Sequence, residues 1–156
     1  MSVGQSIIGA IVALVVTFGA AAVGAGFPVD GWYEGLIKPA WNPPNWLFGP
    51  VWGVLYLLMA VAAWLVWRKS GLSGAAVPLG LFGLQLVLNA AWSWLFFGLH
   101  RPGVALVEIV LLWAAILATM ISFWRVQPPA GWLLLPYQLW VTFATALNFA
   151  LWRLNG

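Results

Sequence analysis

The sequence predicts an all-α integral membrane protein, a single bundle of five transmembrane helices. Of its 156 residues, 64% are hydrophobic and only 6% are charged, a composition outside that of soluble globular domains. Charged residues are absent before Asp30, between Lys38 and Arg68, between Lys69 and Arg101, and between Arg125 and Arg153. About 20 apolar residues span the hydrocarbon core of a bilayer, so each charge-free segment contains a candidate span.

Proline, glycine and charge set the ends of these helices. Pro43-Pro44 precede the second span, Pro102 opens the fourth, and Pro128-Pro129 precede the fifth. Proline is tolerated in the first turn of a helix and ends the segment before it. The predicted helices cover residues 5–27, 46–67, 77–98, 103–124 and 131–152. Because they use nearly the whole chain, we expect residues 1–156 to form one domain.

The first predicted helix resembles a signal peptide in position but not in pattern. It lacks a basic n-region, and its apolar run exceeds the 7–15 residues of a signal-peptide core. The small residues Ala20–Ala22 keep cleavage open as an alternative. We expect the segment to be retained as a transmembrane helix.

The only long connection, residues 28–45, is rich in aromatic residues and holds three of the nine charged residues. Such a segment is expected to fold over the end of the bundle as a lid, with Trp32 and Trp41 contributing to a ligand site. The alternative is an ordinary interfacial belt, where Trp and Tyr rings lie at the level of the headgroups.

Side chains at helical spacing form polar and aromatic stripes on three of the helices. The aromatic face of the second helix contains Trp52, Tyr56, Met59, Ala63 and Trp67, and the polar stripes contain Gln85, Asn89 and Ser93 on the third helix and Gln138, Thr142, Thr145 and Asn148 on the fifth. Amides and hydroxyls inside a bilayer must find partners, so these stripes are expected to face the bundle interior. Interhelical hydrogen bonding alone is the competing explanation.

Thirteen tryptophans include several far from the expected interfaces. Trp52 and Trp140 fall well inside apolar runs, where an indole presents a flat face and an N–H that needs a partner. We expect these two rings to bound a slot for a planar ligand, with Ala144 and Leu147 at its floor. Ordinary buried aromatic packing explains the same periodicity.

Conventional catalysis and metal binding have little support in the sequence. The chain has no cysteine and one histidine, His100, which is expected at the surface. Glu108 is the one ionisable residue within a predicted span, and it is expected to have a structural role near a helix end. The net charge of +3 is scattered, so no nucleic-acid surface is expected. The Lys/Arg residues divide three against three between the two sides, which leaves the orientation open.

The order of these residues closely resembles the translocator protein family, whose bacterial members are called tryptophan-rich sensory proteins. The animal member was known as the peripheral benzodiazepine receptor. The matching stretches are Trp32-Tyr33-x-x-Leu36-x-Lys38-Pro39-x-Trp41-x-Pro43-Pro44-x-Trp46, Val51-Trp52-Gly53-x-Leu55-Tyr56, Gln85-Leu86-x-Leu88-Asn89-x-x-Trp92, Phe96-Phe97-Gly98 and Pro136-Tyr137-x-x-Trp140-x-x-Phe143-Ala144-Thr145-x-Leu147-Asn148. The resemblance covers essentially the whole chain.

This resemblance implies a five-helix membrane protein, commonly a homodimer, with a ligand pocket between the helices under the first loop. It implies binding of protoporphyrin IX or another tetrapyrrole, of sterols, and of isoquinoline or benzodiazepine drugs; the porphyrin is a ligand, and no cofactor or metal is implied. Trp52 and Trp140 match tryptophans implicated in porphyrin contact and in light-dependent porphyrin breakdown. Ala144 matches a position whose bulk affects ligand binding, and Asn89 and Trp92 match positions in the pocket wall.

The sterol-recognition segment of the family is altered in this chain. Where the family has a tyrosine followed closely by arginine, this sequence has Phe149 and then Arg153. The hydroxyl is therefore absent, and because such patterns are weak even when complete, we expect sterol affinity to be reduced.

Three functional hypotheses follow from the sequence. The first is a membrane receptor or sensor that binds porphyrins and related apolar polycycles. The second is light-dependent porphyrin degradation at the same pocket, which would require no conventional catalytic group. The third is passive transport of porphyrin or sterol, since an ion-driven carrier would need buried charges. The chain ends at Gly156 without a basic tail, which favours a bacterial cell envelope.

Overall fold

The computed structural model describes all 156 residues as helices joined by short connections. The helices are α1 Val3–Ala25, α2 Gly31–Glu34, α3 Asn45–Gly74, α4 Ala76–Ser93, α5 Pro102–Val126, α6 Pro128–Leu133 and α7 Leu135–Asn155, and the π-helical turn Trp94–Gly98 extends α4. Five segments are long and apolar enough to cross a membrane, if α4 is taken with its π-helical turn and α6 with α7. The predicted fold class is therefore confirmed.

Helix α3 is longer than the predicted span, which ended at residue 67. It continues through Arg68 and Lys69 to Gly74. The Arg68 guanidinium lies over the Trp64 ring, 4.8 Å from its centroid, so the charged head reaches toward the interface while its stem lies along the helix. The regular helix is interrupted at Gly71, whose φ of 69° and ψ of 177° form a conformation available essentially only to glycine.

The predicted fifth helix, 131–152, begins earlier and is broken. Helix α6 begins at Pro128, and α7 begins at Leu135 after a break at Leu134. Pro136 explains the break because it lacks the N–H that a continuous helix would bond to the carbonyl four residues earlier.

Helix α1 is an integral part of the bundle. Its N-terminus carries a capping box in which Ser2 and Gln5 exchange side chain–backbone hydrogen bonds of 3.1 and 3.0 Å. The Trp64 indole N–H donates to the Ser6 carbonyl across 2.8 Å. Gly9 is buried directly against the Trp67 ring. These contacts fix α1 to α3 through two indoles, and the Trp67 ring fits because Gly9 lacks a side chain.

The helices enclose an open space at one end of the bundle. Helix α1 packs on α3 and α4, while α5 packs on α4 and α7, and α6 packs on α3 and α5. Residues 26–44, which we call the cover loop, join α1 to α3 and contain α2. The loop is attached to the end of α7, where the Asn155 amide accepts from Ile37 N at 2.8 Å and donates to Ile37 O at 2.9 Å.

Replacing Gly9 with alanine is expected to destabilise the bundle. The added methyl would overlap the Trp67 ring, and overpacking of this kind costs about 1–3 kcal/mol. Gly19→Ala is the matched control on the same helix, because a Cβ there meets no atom within 4 Å. Thermal unfolding in detergent is expected to show a lower Tm for Gly9→Ala only; equal Tm values for the two variants would contradict this packing.

Candidate ligand-binding cavity

A cavity of about 470 Å³ lies between α1, α3, α4 and α7, beneath the cover loop. Its volume falls in the range of about 300–1,000 Å³ typical of small-molecule sites. None of its 24 lining residues carries a charge, and 17 are hydrophobic. The cavity is therefore suited to a largely apolar ligand of substantial size.

Small residues and aromatic rings both line the cavity. Helix α1 contributes Ala21 and Gly24, and α3 contributes Gly49 and Gly53. A Cβ built at Gly49 or Gly53 meets no atom within 4 Å. The absence of side chains here leaves open space, which a flat and bulky molecule requires.

Six of the eight predicted ligand-binding residues line this one cavity. They are Trp52, Asn89, Trp92, Trp140, Ala144 and Leu147. Helices α3, α4 and α7 bring them together from positions far apart in the sequence. Their roles toward a ligand remain predictions, but their convergence on one space is a feature of the structure.

Trp32 and Trp41 do not line the cavity, contrary to the prediction. The Trp32 ring stacks on His100, with centroids 4.4 Å apart and planes within 9°. The Trp41 ring meets Phe143 at 5.6 Å in an edge arrangement and stays 48% exposed. Both indoles hold the cover loop onto the bundle from outside, because the face of the loop that turns inward carries Tyr33 instead.

Trp52 and Trp140 form a corner and not two parallel walls. Their ring centroids lie 6.4 Å apart with an interplanar angle of 89°, which leaves no room for a planar molecule between them. Phe48 contacts Trp140 edge-on at 6.1 Å. The expected slot between the two indoles is therefore absent, and the open space lies in front of both rings, toward α1 and α4.

A buried hydrogen-bond network joins α3, α4 and α7 at this cavity. The Tyr56 hydroxyl donates to Asn89 Oδ1, Asn89 Nδ2 donates to the Tyr137 hydroxyl, and that hydroxyl donates to Gln85 Oε1, each at 2.7 Å. Asn89 is 3% exposed and Gln85 is 1% exposed. The polar stripe predicted on the third helix thus serves helix–helix contact, even where Asn89 borders the cavity.

A second polar contact fixes the covered end of the cavity. The Trp92 indole N–H donates to Asn148 Oδ1 at 2.9 Å, and Asn148 Nδ2 donates to the Pro102 carbonyl at 2.8 Å. This chain links α4, α7 and the start of α5. Trp92 consequently offers a ligand its ring face, since its N–H is already bonded.

Three donors at the cavity remain without a partner in the protein. The Ser93 hydroxyl and the Trp52 indole N–H line the cavity, and neither makes a hydrogen bond within the chain. Trp140 Nε1 is buried and also lacks a partner. Every other polar side chain of the lining is bonded internally, so specificity for polar atoms of a ligand rests on very few groups.

Tyr33 lines the cavity but was not among the predicted ligand-binding residues. It is 1% exposed, its hydroxyl donates to Asn42 Oδ1 at 3.0 Å, and burial raises its pKa above the usual value of 10. Its position in the aromatic-rich loop was the one sequence feature that could have indicated a place in the cavity wall. Phe18 and Gly24 of α1 were also missed, because α1 is apolar on all sides and shows no stripe.

The remaining candidate residues lie away from the cavity. Phe149 is 51% exposed on α7 and packs against Trp152, and Arg153 is exposed one turn further on.

Glu108 is buried in α5, and both of its carboxyl oxygens lack a hydrogen-bond partner. No group of three His, Cys, Asp or Glu side chains is placed to hold a metal ion. The cavity therefore offers shape and aromatic surface, and its lining contains no carboxylate or histidine side chain.

A family model described as the TspO/MBR family matches residues 8–153, which include every residue that lines the cavity. The chain belongs to the TspO/MBR family. It is 48% identical to human "Translocator protein" over 126 residues, covering 80% of this chain and 75% of that protein. It is 44% identical to "Protein CrtK" of Rhodobacter capsulatus over 140 residues, or 87% and 86% of the two chains.

A third relative is "Tryptophan-rich protein TspO" of Chlorobaculum tepidum, 47% identical over 132 residues and 82% of each chain. The TspO/MBR membership inferred from the tryptophan-rich stretches is thereby confirmed, as is an integral membrane location. The Rhodobacter and Chlorobaculum relatives support the predicted bacterial membrane.

In this TspO/MBR protein, Asn89→Ala is expected to destabilise the bundle by roughly 1–2 kcal/mol, because two interhelical hydrogen bonds disappear together. Ser93→Ala, one turn along the same helix, removes a hydroxyl that bonds to nothing in the protein and is the matched control. Denaturant unfolding in mixed micelles distinguishes the two. A loss of stability for Ser93→Ala as large as that for Asn89→Ala would refute the structural role of the network.

Proposed function

We propose that this TspO/MBR protein is a membrane receptor that binds porphyrins, with protoporphyrin IX as the leading ligand, and related apolar polycycles in the cavity. The observation that carries the proposal is the uncharged, aromatic-lined cavity of about 470 Å³ within the bundle. A planar macrocycle needs apolar contact on both faces, and the cavity lining combines aromatic rings with small residues that leave open space.

The aromatic walls account for affinity. Trp52, Trp92 and Trp140 each present a ring to the cavity, and aromatic contacts contribute roughly 0.5–1.5 kcal/mol beyond area burial. The corner that Trp52 forms with Trp140 allows one indole to stack on a macrocycle while the other meets its edge. Both arrangements are favourable for aromatic rings.

The absence of charge in the lining sets the orientation of a porphyrin. Burying a carboxylate without a partner is costly, so the propionates of protoporphyrin IX are expected to point toward the cover loop and the aqueous phase. Lys38 lies in that loop and Arg101 lies in the α4–α5 connection. Uncharged polycycles, including isoquinoline or benzodiazepine drugs and sterols, would enter without this constraint.

Protoporphyrin IX is expected to bind saturably in the dark, detected by titration of the purified protein in detergent. Trp52→Phe and Trp140→Phe should each weaken binding by roughly three- to tenfold, because a smaller ring loses stacking area. Trp132→Phe is the matched control, since Trp132 is 57% exposed and outside the lining. Absence of saturable binding, or equal affinities for all three variants, would contradict the proposed site.

Light-dependent porphyrin breakdown is the second candidate, favoured by one feature of the cavity. Trp52 and Trp140 are in contact at its wall, and Trp140 Nε1 has no partner, so an electron-rich indole pair would border the excited macrocycle. Dioxygen is the oxidant in this scheme.

Illumination of the bound complex in air is expected to bleach the porphyrin absorbance faster than in Trp52→Phe at equal occupancy. Bleaching should stop without oxygen. A stable spectrum in the wild-type complex would leave binding as the function and remove this second candidate.

A further inference from the structure

The cover loop is joined to the α4–α5 connection by a titratable contact outside the membrane-spanning helices. His100 Nε2 lies 3.2 Å from Asp30 Oδ2, the one close contact in the chain between a basic and an acidic side chain. The Trp32 ring stacks parallel to the His100 imidazole, with the two ring centroids 4.4 Å apart. Asp30 and Trp32 belong to the loop, whereas His100 follows the π-helical turn that ends at Gly98. The contact therefore bridges the loop and the helical bundle.

This contact is mechanically connected to the cavity. Asp30 caps α2 by accepting a hydrogen bond from Tyr33 N through Oδ1 at 3.2 Å. Tyr33 lines the cavity and is 1% exposed. A change that releases Asp30 from His100 therefore acts on the residue that caps the short helix carrying a wall residue of the cavity.

The cover loop has a second attachment that does not titrate. The Asn155 side chain bonds to both backbone polar groups of Ile37, and an amide keeps its charge state at all ordinary pH values. The loop is thus fixed at one end independently of pH, while its other end is held by a histidine and a carboxylate.

We propose that Asp30 and His100 form a pH-sensitive latch on the cover of the ligand cavity, tighter when His100 is protonated and looser when it is neutral. The latch concerns regulation of the same cavity, and its ligand readout rests on the proposed binding function.

Histidine side chains change charge between about pH 5 and 8, where few other groups titrate. A protonated imidazole adds an ion pair with Asp30 and a cation over the Trp32 ring. The neutral ring retains only a hydrogen bond and a stack. The latch is consequently strongest at the acidic end of the window and weakens as pH rises.

Asp30 stays ionised throughout this window. The backbone N–H of Tyr33, together with His100, lowers the pKa of the Asp30 carboxyl below its usual value of 3.8. A lowered carboxyl pKa gives stabilisation that is present above the usual value and lost only as pH falls through the lowered one. Between pH 5 and 8 the carboxylate of the latch therefore keeps its charge.

Other charged side chains at this end of the bundle do not compete for the pair. They are Glu34, Lys38, Arg101 and Arg153, and none forms an ion pair. Lys38 donates to the carbonyls of Glu34 and Leu36 at 3.0 and 3.2 Å and lies over the Tyr33 ring at 5.0 Å. Its ammonium is thereby held within the loop.

The backbone suggests substitutions that remove a charge without straining the chain. His100 has a φ of 56°, in the left-handed region where asparagine is tolerated far better than most residues. His100→Asn therefore keeps the backbone and a donor but never carries a charge. Asp30→Asn keeps a good N-cap for α2 and removes the carboxylate. Both variants are expected to fold.

Opening of the cover loop is measured first without ligand, by hydrogen–deuterium exchange of peptides from residues 28–44 at pH 5.5 and pH 8, expressed relative to intrinsic rates. In the wild type, opening is expected to increase by about two- to fivefold at pH 8, the range of exposed ion pairs. His100→Asn should show the same opening at both pH values. Asp30→Asn should show a smaller pH response than the wild type, because only the stack of His100 on Trp32 remains. A flat wild-type response, or a pH response that survives in His100→Asn, would overturn the latch.

Dissociation of an uncharged isoquinoline carboxamide is the second readout. Its rate should rise by the same factor in the wild type between pH 5.5 and 8 and stay constant in His100→Asn. A loop that responds to pH in a protein that binds neither this probe nor protoporphyrin IX would refute the proposed function and leave the latch standing. Binding with a pH-independent dissociation rate and a pH-independent loop would do the reverse.

Discussion

The hydrogen bonds that tie Tyr56, Asn89, Tyr137 and Gln85 together constrain the rest of this bundle. A bilayer offers no water to buried amides and phenols, so these groups must bond to one another. Each bond is 2.7 Å long and crosses between helices. Two of the four side chains are long phenols, which join α3, α4 and α7 while keeping their backbones apart. The space that remains beside this network is the cavity, so the same interaction gives the bundle its cohesion and its opening.

Glycines have two different effects on the packing of the helices around that space. The Trp67 indole of α3 packs against α1 where Gly9 leaves room, which brings the two helices together at one end. At the other end Gly49 and Gly53 face open space, so the helices do not close on each other. The cover loop lies over this opening, held by Asn155 on one side and by Asp30 with His100 on the other. Access to the cavity thus depends on a loop whose attachments lie in the aqueous phase.

The five membrane spans could be predicted from the sequence because charged residues and prolines divide this apolar chain into five segments of suitable length. The sequence also placed Gln85 and Asn89 inward, since unpaired amides are excluded from lipid. It did not reveal that Asn89 bonds to Tyr56 and Tyr137, because those partners come from helices distant in sequence. Trp32 and Trp41 were misplaced for a related reason: periodicity does not apply to an irregular loop, and only the structure shows that Tyr33 faces inward. The corner between Trp52 and Trp140 depends on rotamers and helix crossing, which residue spacing does not encode.

The most direct test of this account is an experimental structure of the protein with protoporphyrin IX bound. We expect density for the macrocycle in the space bordered by Trp52, Trp140 and Gly24, with its carboxylates toward the cover loop. The bonds from Asn89 to Tyr56 and Tyr137 should remain in place beside it. Porphyrin density confined to the lipid-facing surface, with the cavity empty at saturating ligand, would contradict the central claim that the network maintains a ligand site within the bundle.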